Sequence, residues 1–427
     1  MKELALELLQ YVQKSTSPYK AVETAKEELL RADFQELLES EYWDLEKGGK
    51  YFITKNSSSL IAFELGEGEI EENGFKMIVA HTDSPTFKIK QNAEIDAQGC
   101  IKLNTEPYGG SILSTWLDRP LGISGRVVLK SDGKLQEKLI DFERPLLIIP
   151  NLSIHFNRSV NEGYAYNPQT DMLPILSLVN EKLEEKDYLQ QLICDELKVQ
   201  KEDILEFDLF LYEYEKGNLI GMHEEFISCA RLDDLWMTFA TLKALLNSEK
   251  TQASKMMILV DNEEVGSTSE MGAESAFIPH IIDRISIGLS KGKEDTYRAL
   301  SHSIAISADL AHAAHPNYVD KHDITNKPLL GKGPVIKFSA AMKYATTAVS
   351  AGHFILACEK SNIPYQKFVK KSDIAGGSTI GPTISSKLAI PVIDVGTSIL
   401  GMHSTRELGS VDDNFYVIEA FKNFYGQ

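Results

Sequence analysis

Imidazole and carboxylate side chains recur directly after short apolar runs in this sequence of 427 residues. They are His81 and Asp83 after the run 76–80, Glu263 and Glu264 after 256–260, Asp309 after 304–307, and His403 after 389–395. Carboxylates and imidazoles without cysteine suit zinc, manganese or cobalt in a catalytic site that keeps open positions. The residue types therefore favour a metal site.

A site for two metal ions needs about five protein ligands if each ion keeps an open position and one carboxylate bridges them. The sequence offers that number in His81, Asp233, Glu264, Asp309 and His403. Any one of these alone is more often a structural residue, but two neighbours strengthen the interpretation. Asp83 lies two residues beyond His81 and can orient its ring. Glu263 places a second acid beside Glu264 straight after an apolar strand.

Buried strands must carry these side chains, because each apolar run is short and ends at a polar cluster. Helices are predicted between the runs, the clearest at 1–14, 344–361 and 413–425, and one that starts at Pro18 after a Ser17 cap. Alternating strands and helices predict an α/β fold with a mostly parallel central sheet covered by helices. Ligands bind at the carboxyl ends of the strands in such sheets, which is where the polar clusters lie.

The middle of the chain has a different character. It has few clusters of His, Asp and Glu. It contains β-rich pieces at 124–129, 145–150 and 207–214, and a charged helix at about 180–198. We predict a discontinuous catalytic domain, residues 1–92 and 223–427, and a β-rich domain inserted into it, residues 93–222.

Composition limits the partners and the location. With 44 Lys and Arg against 62 Asp and Glu, the net charge of −18 argues against nucleic acid, which needs a basic face. No stretch approaches the ~18 apolar residues of a membrane span. We therefore expect a protein that binds neither nucleic acid nor membrane. The four cysteines lie far apart without a CxxC pair, so we expect reduced thiols and a cytoplasmic location. The HExxH, P-loop, GxGxxG and GxSxG motifs are absent from the sequence.

Longer strings around the same residues resemble the aspartyl aminopeptidase and vacuolar aminopeptidase I family of dizinc exopeptidases. In the family's order they include HTDSP at 81–85, RLDDL at 231–235, DNEEVGS at 261–267, SADLAHA at 307–313, GPVIK at 333–337, GSTIGP at 377–382 and MHS at 402–404. They cover nearly the whole chain. The resemblance implies the dizinc exopeptidase fold and a metal-dependent aminopeptidase that removes the N-terminal residue of peptides, with a preference for Asp and Glu.

The resemblance also implies a metal-ligand set. By resemblance, Asp233 bridges two divalent ions per subunit, which are expected to be Zn²⁺, with Mn²⁺ or Co²⁺ as alternatives. His81 and Asp309 complete one position, and Glu264 and His403 complete the other. The expected result is a water between two metal ions, which such a site turns into a ready nucleophile.

Further roles follow from the same resemblance. Glu263 is the expected general base, which takes a proton from the water and passes it to the leaving amine. Asp83 is expected to hold His81 in place. The family pattern also implies a cis peptide bond between Asp233 and Asp234.

The resemblance extends to substrate contacts and assembly. Substrate contacts are implied for His312, Lys337 and Tyr344, with Lys337 as a counter-charge for a substrate carboxylate. His155, in the inserted domain, is implied to reach the active site of a neighbouring subunit. The inserted domain is then a dimerisation domain, and the expected assembly is a homododecamer built from dimers that acts on peptides with a free N-terminus.

Departures from the family pattern keep alternatives open. The chain has Asp234 where the family usually has Asn, and it differs at 371–373, 376 and 397–401. These changes leave the expected metal ligands intact but bear on specificity, so an aminopeptidase that prefers neutral or basic residues is one alternative. An inactive scaffold or assembly protein is a second, and a related dizinc deacetylase is a third.

Overall fold

The computed structural model describes residues 1–179 and 187–427 of the chain. The start of the predicted charged helix, at 180–186, lies outside the described residues. Contacts between residues divide the chain into two compact units. The first consists of Met1–Asp83, Gly217–Met402 and Glu407–Gln427, and the second of Ser84–Lys216 and His403–Arg406.

The described segments contain the following regular elements. The strands are β1 Gln35–Glu36, β2 Lys50–Lys55, β3 Ser59–Glu64, β4 Phe75–His81, β5 Thr86–Ala97, β6 Cys100–Tyr108, β7 Leu121–Ser131, β8 Lys134–Asp141, β9 Ile175–Leu178, β10 Ile204–Glu213, β11 Asn218–Ile220, β12 Phe226–Cys229, β13 Ser254–Val260, β14 Ile304–Ala308, β15 Ala311–His312, β16 Val335–Phe338, β17 Gln366–Val369, β18 Val392–Gly396, β19 Ser398–Ile399 and β20 Glu407–Ser410. The helices are α1 Lys2–Lys14, α2 Pro18–Arg31, α3 Ile70–Asn73, α4 Tyr188–Leu197, α5 Leu232–Asn247, α6 Phe277–Gly288, α7 Lys293–Ser301, α8 Ala348–Glu359, α9 Gly381–Leu388 and α10 Val411–Tyr425.

The first unit is built on a large mixed sheet with the strand order β1-β2-β3-β13-β4-β14-β18-β16-β17. Its centre, β13-β4-β14-β18, is parallel throughout. Antiparallel pairs occur on either side of that centre, at β2-β3, β3-β13 and β16-β18. The predicted α/β class with a mostly parallel central sheet is confirmed.

Helices cover both faces of this sheet. Along β4, Ile78 and Ala80 belong to a core formed with α1, α2, α5, α8 and α10, whereas Met77 and Val79 belong to a core formed with α6, α7 and α9. Successive side chains of a strand point to opposite faces, so a strand buried on both faces has a continuous apolar run. That is the pattern which predicted the strand from the sequence.

The ends of two predicted helices show how capping sets their limits. Helix α2 begins as predicted, with Ser17 Oγ accepting a hydrogen bond from the backbone N of Lys20 at 3.4 Å and Pro18 in the first turn. The prediction of a helix from 344 to 361 is too long. Thr347 Oγ1 accepts from the backbone N of Ser350 at 3.2 Å, so α8 begins only after this cap and Tyr344 lies in the preceding loop.

The second unit contains an antiparallel sheet with the order β8-β7-β10-β5-β6-β9. Its apolar core includes Phe87, Leu103 and Leu209. The predicted strands at 124–129 and 207–214 correspond to β7 and β10. The stretch 145–150 forms only isolated bridges, because proline at both ends of this segment removes backbone donors.

The division between the units differs from the predicted domain boundaries at residues 92 and 222. The units divide after Asp83 and after Lys216, and the second also takes in 403–406. The reason at the first boundary is that β5 runs across residue 92 and pairs with β6 on both sides of it. No helix in the described part of the chain is long and apolar enough to cross a membrane.

Candidate metal centre and substrate pocket

The carboxyl ends of three neighbouring parallel strands meet at one edge of the large sheet. Strands β13, β4 and β14 lie side by side. His81 ends β4, Glu263 and Glu264 follow β13, and Asp309 follows β14. Helix α5 adds Asp233 from its first turn. An imidazole and several carboxylates therefore lie together at this edge of the sheet.

The His81 ring is buried, and its two nitrogens have different surroundings. Nδ1 lies 3.0 Å from the carbonyl oxygen of Asp83 and 3.3 Å from the Oδ1 atom of the same residue. Both are acceptors, so in the neutral ring Nδ1 carries the hydrogen and Nε2 keeps its lone pair. Nε2 lies 3.6 Å from Asp233 Oδ1. This is the arrangement of a histidine that binds a metal through Nε2.

Asp83 connects the end of β4 to the turn after β13. Its Oδ1 accepts from the backbone N of Glu263 at 3.2 Å, and its Oδ2 accepts from the backbone N of Glu264 at 3.1 Å. The same residue contacts His81 Nδ1. Asp83 is therefore a positioning residue that orients both the imidazole and the two glutamates.

Three aspartates surround the Nε2 side of His81. One oxygen from each of Asp233, Asp234 and Asp309 lies, with a ring nitrogen of His81, in a group whose atoms are all within 4.8 Å of one another. Burial and repulsion from its acidic neighbours raise the pKa of Asp234 well above its usual range. Burial and the nearby Asp233 also raise the pKa of Asp309. Burial by itself lowers the pKa of His81, but the aspartates raise it well above its ordinary value.

The peptide bond between Asp233 and Asp234 is cis, which confirms the prediction. Both residues have non-helical backbone angles at the start of α5. The backbone N of Asp233 donates to Glu407 Oε2 at 3.0 Å. The first turn of α5 is therefore fixed to strand β20 directly beside the cluster.

Glu263 and Glu264 form a second group with His81, again with ligand atoms within 4.8 Å of one another. Burial and the charges of Asp309 and Glu264 raise the pKa of Glu263 to about 8, although His81 acts in the opposite direction. A carboxyl group whose pKa lies near neutrality can both take up and release a proton there. This is the property that a general base which later acts as an acid needs.

His403 lies in the segment 403–406 of the second unit. Its Nδ1 is 3.1 Å from the carbonyl oxygen of Gly110. A carbonyl oxygen only accepts, so Nδ1 carries the hydrogen and Nε2 keeps the lone pair, as in His81. The role of His403 as a metal ligand stays a prediction.

A pocket of about 380 Å³ in the first unit brings together two of the predicted substrate residues, His312 and Tyr344. The ring of Phe368 lies 6.2 Å from each of their rings, edge to face. Cationic side chains also line the pocket, namely Lys321, Lys370 and Lys371. Lys371 is paired with Asp373 at 3.1 Å, so part of this positive charge is offset within the protein.

Lys337 is buried and already engaged. Its Nζ donates to the carbonyl oxygen of Leu310 at 3.0 Å, lies 3.5 Å from Asp309 Oδ2, and sits 5.3 Å from the centre of the Tyr344 ring. Burial lowers the pKa of Lys337, but the Asp309 carboxylate outweighs it and the pKa is raised. Lys337 is therefore a cation that neutralises part of the acidic cluster.

His155 lies elsewhere, on the exposed loop of the second unit around 151–159. Three large apolar side chains on the same loop are also exposed, Leu152 at 59%, Ile154 at 47% and Phe156 at 81%. An exposed apolar patch of this kind is typical of an interaction site.

Sequence reasoning missed two acidic residues of the centre. Glu407 accepts a hydrogen bond from the backbone N of Asp233, and no recognisable sequence motif surrounds it. Asp261 is buried, and burial and the Asp83 charge raise its pKa to about 7. Its position at the head of the string 261–264 was a signal that could have identified it.

The donor set fits divalent metal ions. One imidazole with a lone pair on Nε2 and carboxylate oxygens converge within metal-ligand reach. Asp234 Oδ1 is buried without a hydrogen-bond partner among the described residues, and such an oxygen is costly unless a cation offsets its charge.

Fold and donor set together are those of a metallo-aminopeptidase, and comparison with known proteins gives the family. The family model described as aminopeptidase I zinc metalloprotease (M18) matches residues 11–425. The chain therefore belongs to the M18 family and is a zinc metallo-aminopeptidase.

Three similar proteins illustrate the relationship. The chain is 50% identical over 426 residues to "Probable M18 family aminopeptidase 2" of Clostridium novyi (strain NT), covering 99% of this chain and 98% of that protein. A cryo-EM structure of the Ape4 and Nbr1 complex matches with a TM-score of 0.96 and 35% identity, covering 99% of this chain and 85% of that one. The structure of the S. cerevisiae mApe1 dodecamer matches with a TM-score of 0.86 and 26% identity, covering 99% of this chain and 96% of that one.

Proposed function

We propose that this aminopeptidase removes acidic residues, Asp or Glu, from the N-termini of peptides and uses two divalent metal ions per subunit. The observation that carries the proposal is the convergence of His81, the aspartates and the paired glutamates at the carboxyl edge of the sheet. Zn²⁺ is the proposed occupant of both positions, and Mn²⁺ and Co²⁺ are alternatives.

The proposed ligands divide as the family resemblance suggests. Asp233 would hold both ions, His81 and Asp309 would complete one position, and Glu264 and His403 would complete the other. The ions, when bound, would supply a Lewis acid for the scissile carbonyl and an acidified water. The hydrogen on Nδ1 of each histidine supports this assignment, because it leaves Nε2 of each ring able to bind a metal.

Glu263 is the proposed general base. It takes a proton from the attacking water and gives it to the nitrogen of the leaving peptide as the C–N bond breaks. The support is its place beside His81, where burial raises the pKa of its carboxyl group to about 8 in the metal-free chain. Asp83 contributes by holding the backbone of Glu263 through a 3.2 Å hydrogen bond.

The acidic preference is supported by cations around the substrate pocket. Lys337 and Lys371 are partly occupied by Asp309 and Asp373, so the charge available to a substrate carboxylate comes mainly from Lys321 and Lys370 at the pocket wall. His312 and Tyr344 are proposed to contact the N-terminal residue of the substrate. A carboxylate side chain gains from such a pocket, whereas a lysine or arginine side chain is repelled.

A panel of chromogenic substrates tests this function. The assembled protein is stripped with a chelator, reloaded with Zn²⁺, Mn²⁺ or Co²⁺, and assayed with Asp-, Glu-, Leu-, Ala-, Lys- and Arg-linked amides. We expect no hydrolysis without metal and restored hydrolysis of the Asp and Glu substrates. Restored hydrolysis of neutral or basic substrates alone would contradict the acidic preference and keep the metal mechanism. Failure with every ion, by folded protein, would favour an inactive scaffold.

Self-association is part of the proposal. The apolar loop around His155 supports an interface through which this histidine reaches a neighbouring active site. By analogy with the mApe1 dodecamer, we propose a dodecamer built from dimers, with the second unit as the dimerisation domain. A cytoplasmic location is proposed as well, supported by the four free thiols.

A further inference from the structure

We propose that Asp234 binds metal directly at the position of His81, Asp233 and Asp309 and raises the affinity of that position for Mn²⁺ more than its affinity for Zn²⁺. The inference rests on the proposed metal site and adds a ligand that the family resemblance does not include. It starts from a difference in the sequence, because the family usually has Asn at this place.

Asp234 lies inside the donor group and not beside it. It is completely buried, with no exposed surface. One of its oxygens belongs to the set of ligand atoms within 4.8 Å of one another, together with His81, Asp233 and Asp309. Its Oδ2 is 4.0 Å from His81 Nε2, the nitrogen that faces the cluster.

The hydrogen bonding of Asp234 does not explain why a carboxylate is present. Oδ2 accepts from the backbone N of His81 at 3.2 Å, and the carbonyl oxygen of an asparagine side chain could accept the same bond. The second oxygen, Oδ1, is buried and has no hydrogen-bond partner within the described ranges. Asp234 thus has a second buried oxygen, where asparagine would have a nitrogen, that this hydrogen bond does not require.

Cations of the protein only partly offset the acidic groups around Asp234. The Nζ of Lys337 lies 3.5 Å from Asp309 Oδ2 and donates to the carbonyl oxygen of Leu310. Three carboxylates therefore share the region of one lysine and one imidazole. A buried charge is stabilised when it is paired or coordinates a metal.

The chemistry of the extra carboxylate oxygen determines which metal ion is bound more tightly because of it. Zn²⁺ in catalytic sites is satisfied by three protein ligands and a water. Mn²⁺ is better suited by carboxylate and water oxygens, in octahedral geometry. A third carboxylate at the position of His81 therefore adds more to the binding of Mn²⁺ than to that of Zn²⁺.

The test compares Asp234→Asn with the unchanged chain and with Asp413→Asn. The Asn variant keeps the size and the acceptor for His81 N–H and removes the charge. The control removes another buried aspartate, one whose bonds are to the backbone of Gly331 and Gly333. Each stripped protein is titrated with Mn²⁺ and with Zn²⁺ against a chromogenic chelator, in a His403→Ala background that confines the ion to the position of His81.

We expect Asp234→Asn to weaken Mn²⁺ binding by at least about 10-fold, because loss of even a group that only supports a metal ligand has an effect of that size, and to weaken Zn²⁺ binding by a clearly smaller factor. The control should leave both affinities unchanged. Equal losses for the two ions, or no loss for either, would overturn the inference. If the starting chain binds neither ion, the proposed metal site itself fails, which is a separate outcome.

A second measurement needs no substitution at residue 234. The same His403→Ala protein is loaded with one equivalent of Co²⁺, and its visible absorption is recorded. Coordination by four protein donors plus water gives the weak absorption of five- or six-coordinate Co²⁺, which is the expected result. The intense bands of four-coordinate Co²⁺ would overturn the inference even if Asp234→Asn does not fold.

Discussion

Glu263 shows how the surroundings of a single residue prepare it for proton transfer. Its backbone N donates a hydrogen bond to Asp83, and its carboxyl group lies close to His81 and Glu264. Burial is the largest cause that raises its pKa to about 8. Metal ions in the neighbouring positions would favour the ionised form, so the loaded protein should have a base that is ready at neutral pH.

Replacing Glu263 with Gln should separate catalysis from metal binding. We expect kcat to fall by about 10²- to 10⁴-fold, the usual contribution of general acid–base catalysis, while the metal content per chain stays unchanged. Glu264→Gln is the matched comparison, because it should lower the metal content as well. Activity of Glu263→Gln within a few-fold of the unchanged enzyme would contradict the role of this residue.

At the scale of elements, buried carboxylates fix loops to the ends of helices and strands. Asp83 does so between β4 and the turn after β13. Asp413 does so in the first turn of α10, where its oxygens accept from the backbone N of Gly331 and of Gly333, each at 2.7 Å. Burial raises the pKa of Asp413 to about 7.

The raised pKa of Asp413 predicts a pH dependence of stability. A carboxyl group whose pKa is higher in the folded than in the unfolded chain binds more protons when folded. Its contribution to stability is therefore complete at low pH and is lost as the pH rises from 3.8, the ordinary pKa of an aspartate, to about 7, its pKa in the folded chain. From this group alone, the free energy of unfolding should fall by at most about 1.4 kcal/mol per pH unit in that range.

Denaturant unfolding of the metal-loaded chain and of Asp413→Asn, measured at several pH values between 4 and 8, tests this prediction. The free energy of unfolding of the variant should improve relative to that of the unchanged chain as the pH rises. The comparison uses the slope, so a constant loss from altered hydrogen bonds does not affect it. A difference that stays constant with pH, or changes in the other direction, would show that Asp413 ionises normally in the folded chain.

At the scale of the whole molecule, the exposed loop around His155 is the feature that a lone subunit does not explain. Leu152, Ile154 and Phe156 present apolar surface to solvent within a few residues of one another. Burial of such side chains stabilises an interface by about 1.5–3 kcal/mol for each that is fully covered. A subunit contact at this loop would place His155 in the interface as well.

Assembly should therefore depend on this loop. Light scattering of the unchanged protein should give a mass of several 47.6-kDa chains, twelve in the proposed assembly, whereas the double variant Leu152→Ser/Phe156→Ser should give smaller species. Leu135→Ser, at another exposed leucine of the second unit, is the control and should leave the mass unchanged. A monomer for the unchanged protein at working concentration would remove the oligomer from the proposal.

The sequence by itself determined the fold class and many of the residues at the edge of the sheet. Strands buried on both faces, such as β4 and β13, have continuous apolar runs that end where polar residues begin. Because the carboxyl ends of parallel neighbours meet, the spacing of His81, Glu263 and Asp309 after such runs was enough to predict that they lie together. The cis bond after Asp233 was predicted on a different basis, the family resemblance.

Only the tertiary structure decided which charged side chains contact one another at this site. The family resemblance implied that Lys337 contacts the substrate, but folding places its Nζ 3.5 Å from Asp309 Oδ2. The sequence also did not show that an Asp234 oxygen lies in one group with His81, Asp233 and Asp309, and it contained no sign of Glu407. Such pairings join residues far apart in the chain, and burial sets their strength. Local patterns determine where a strand ends, whereas the packing of distant segments determines which charges meet there.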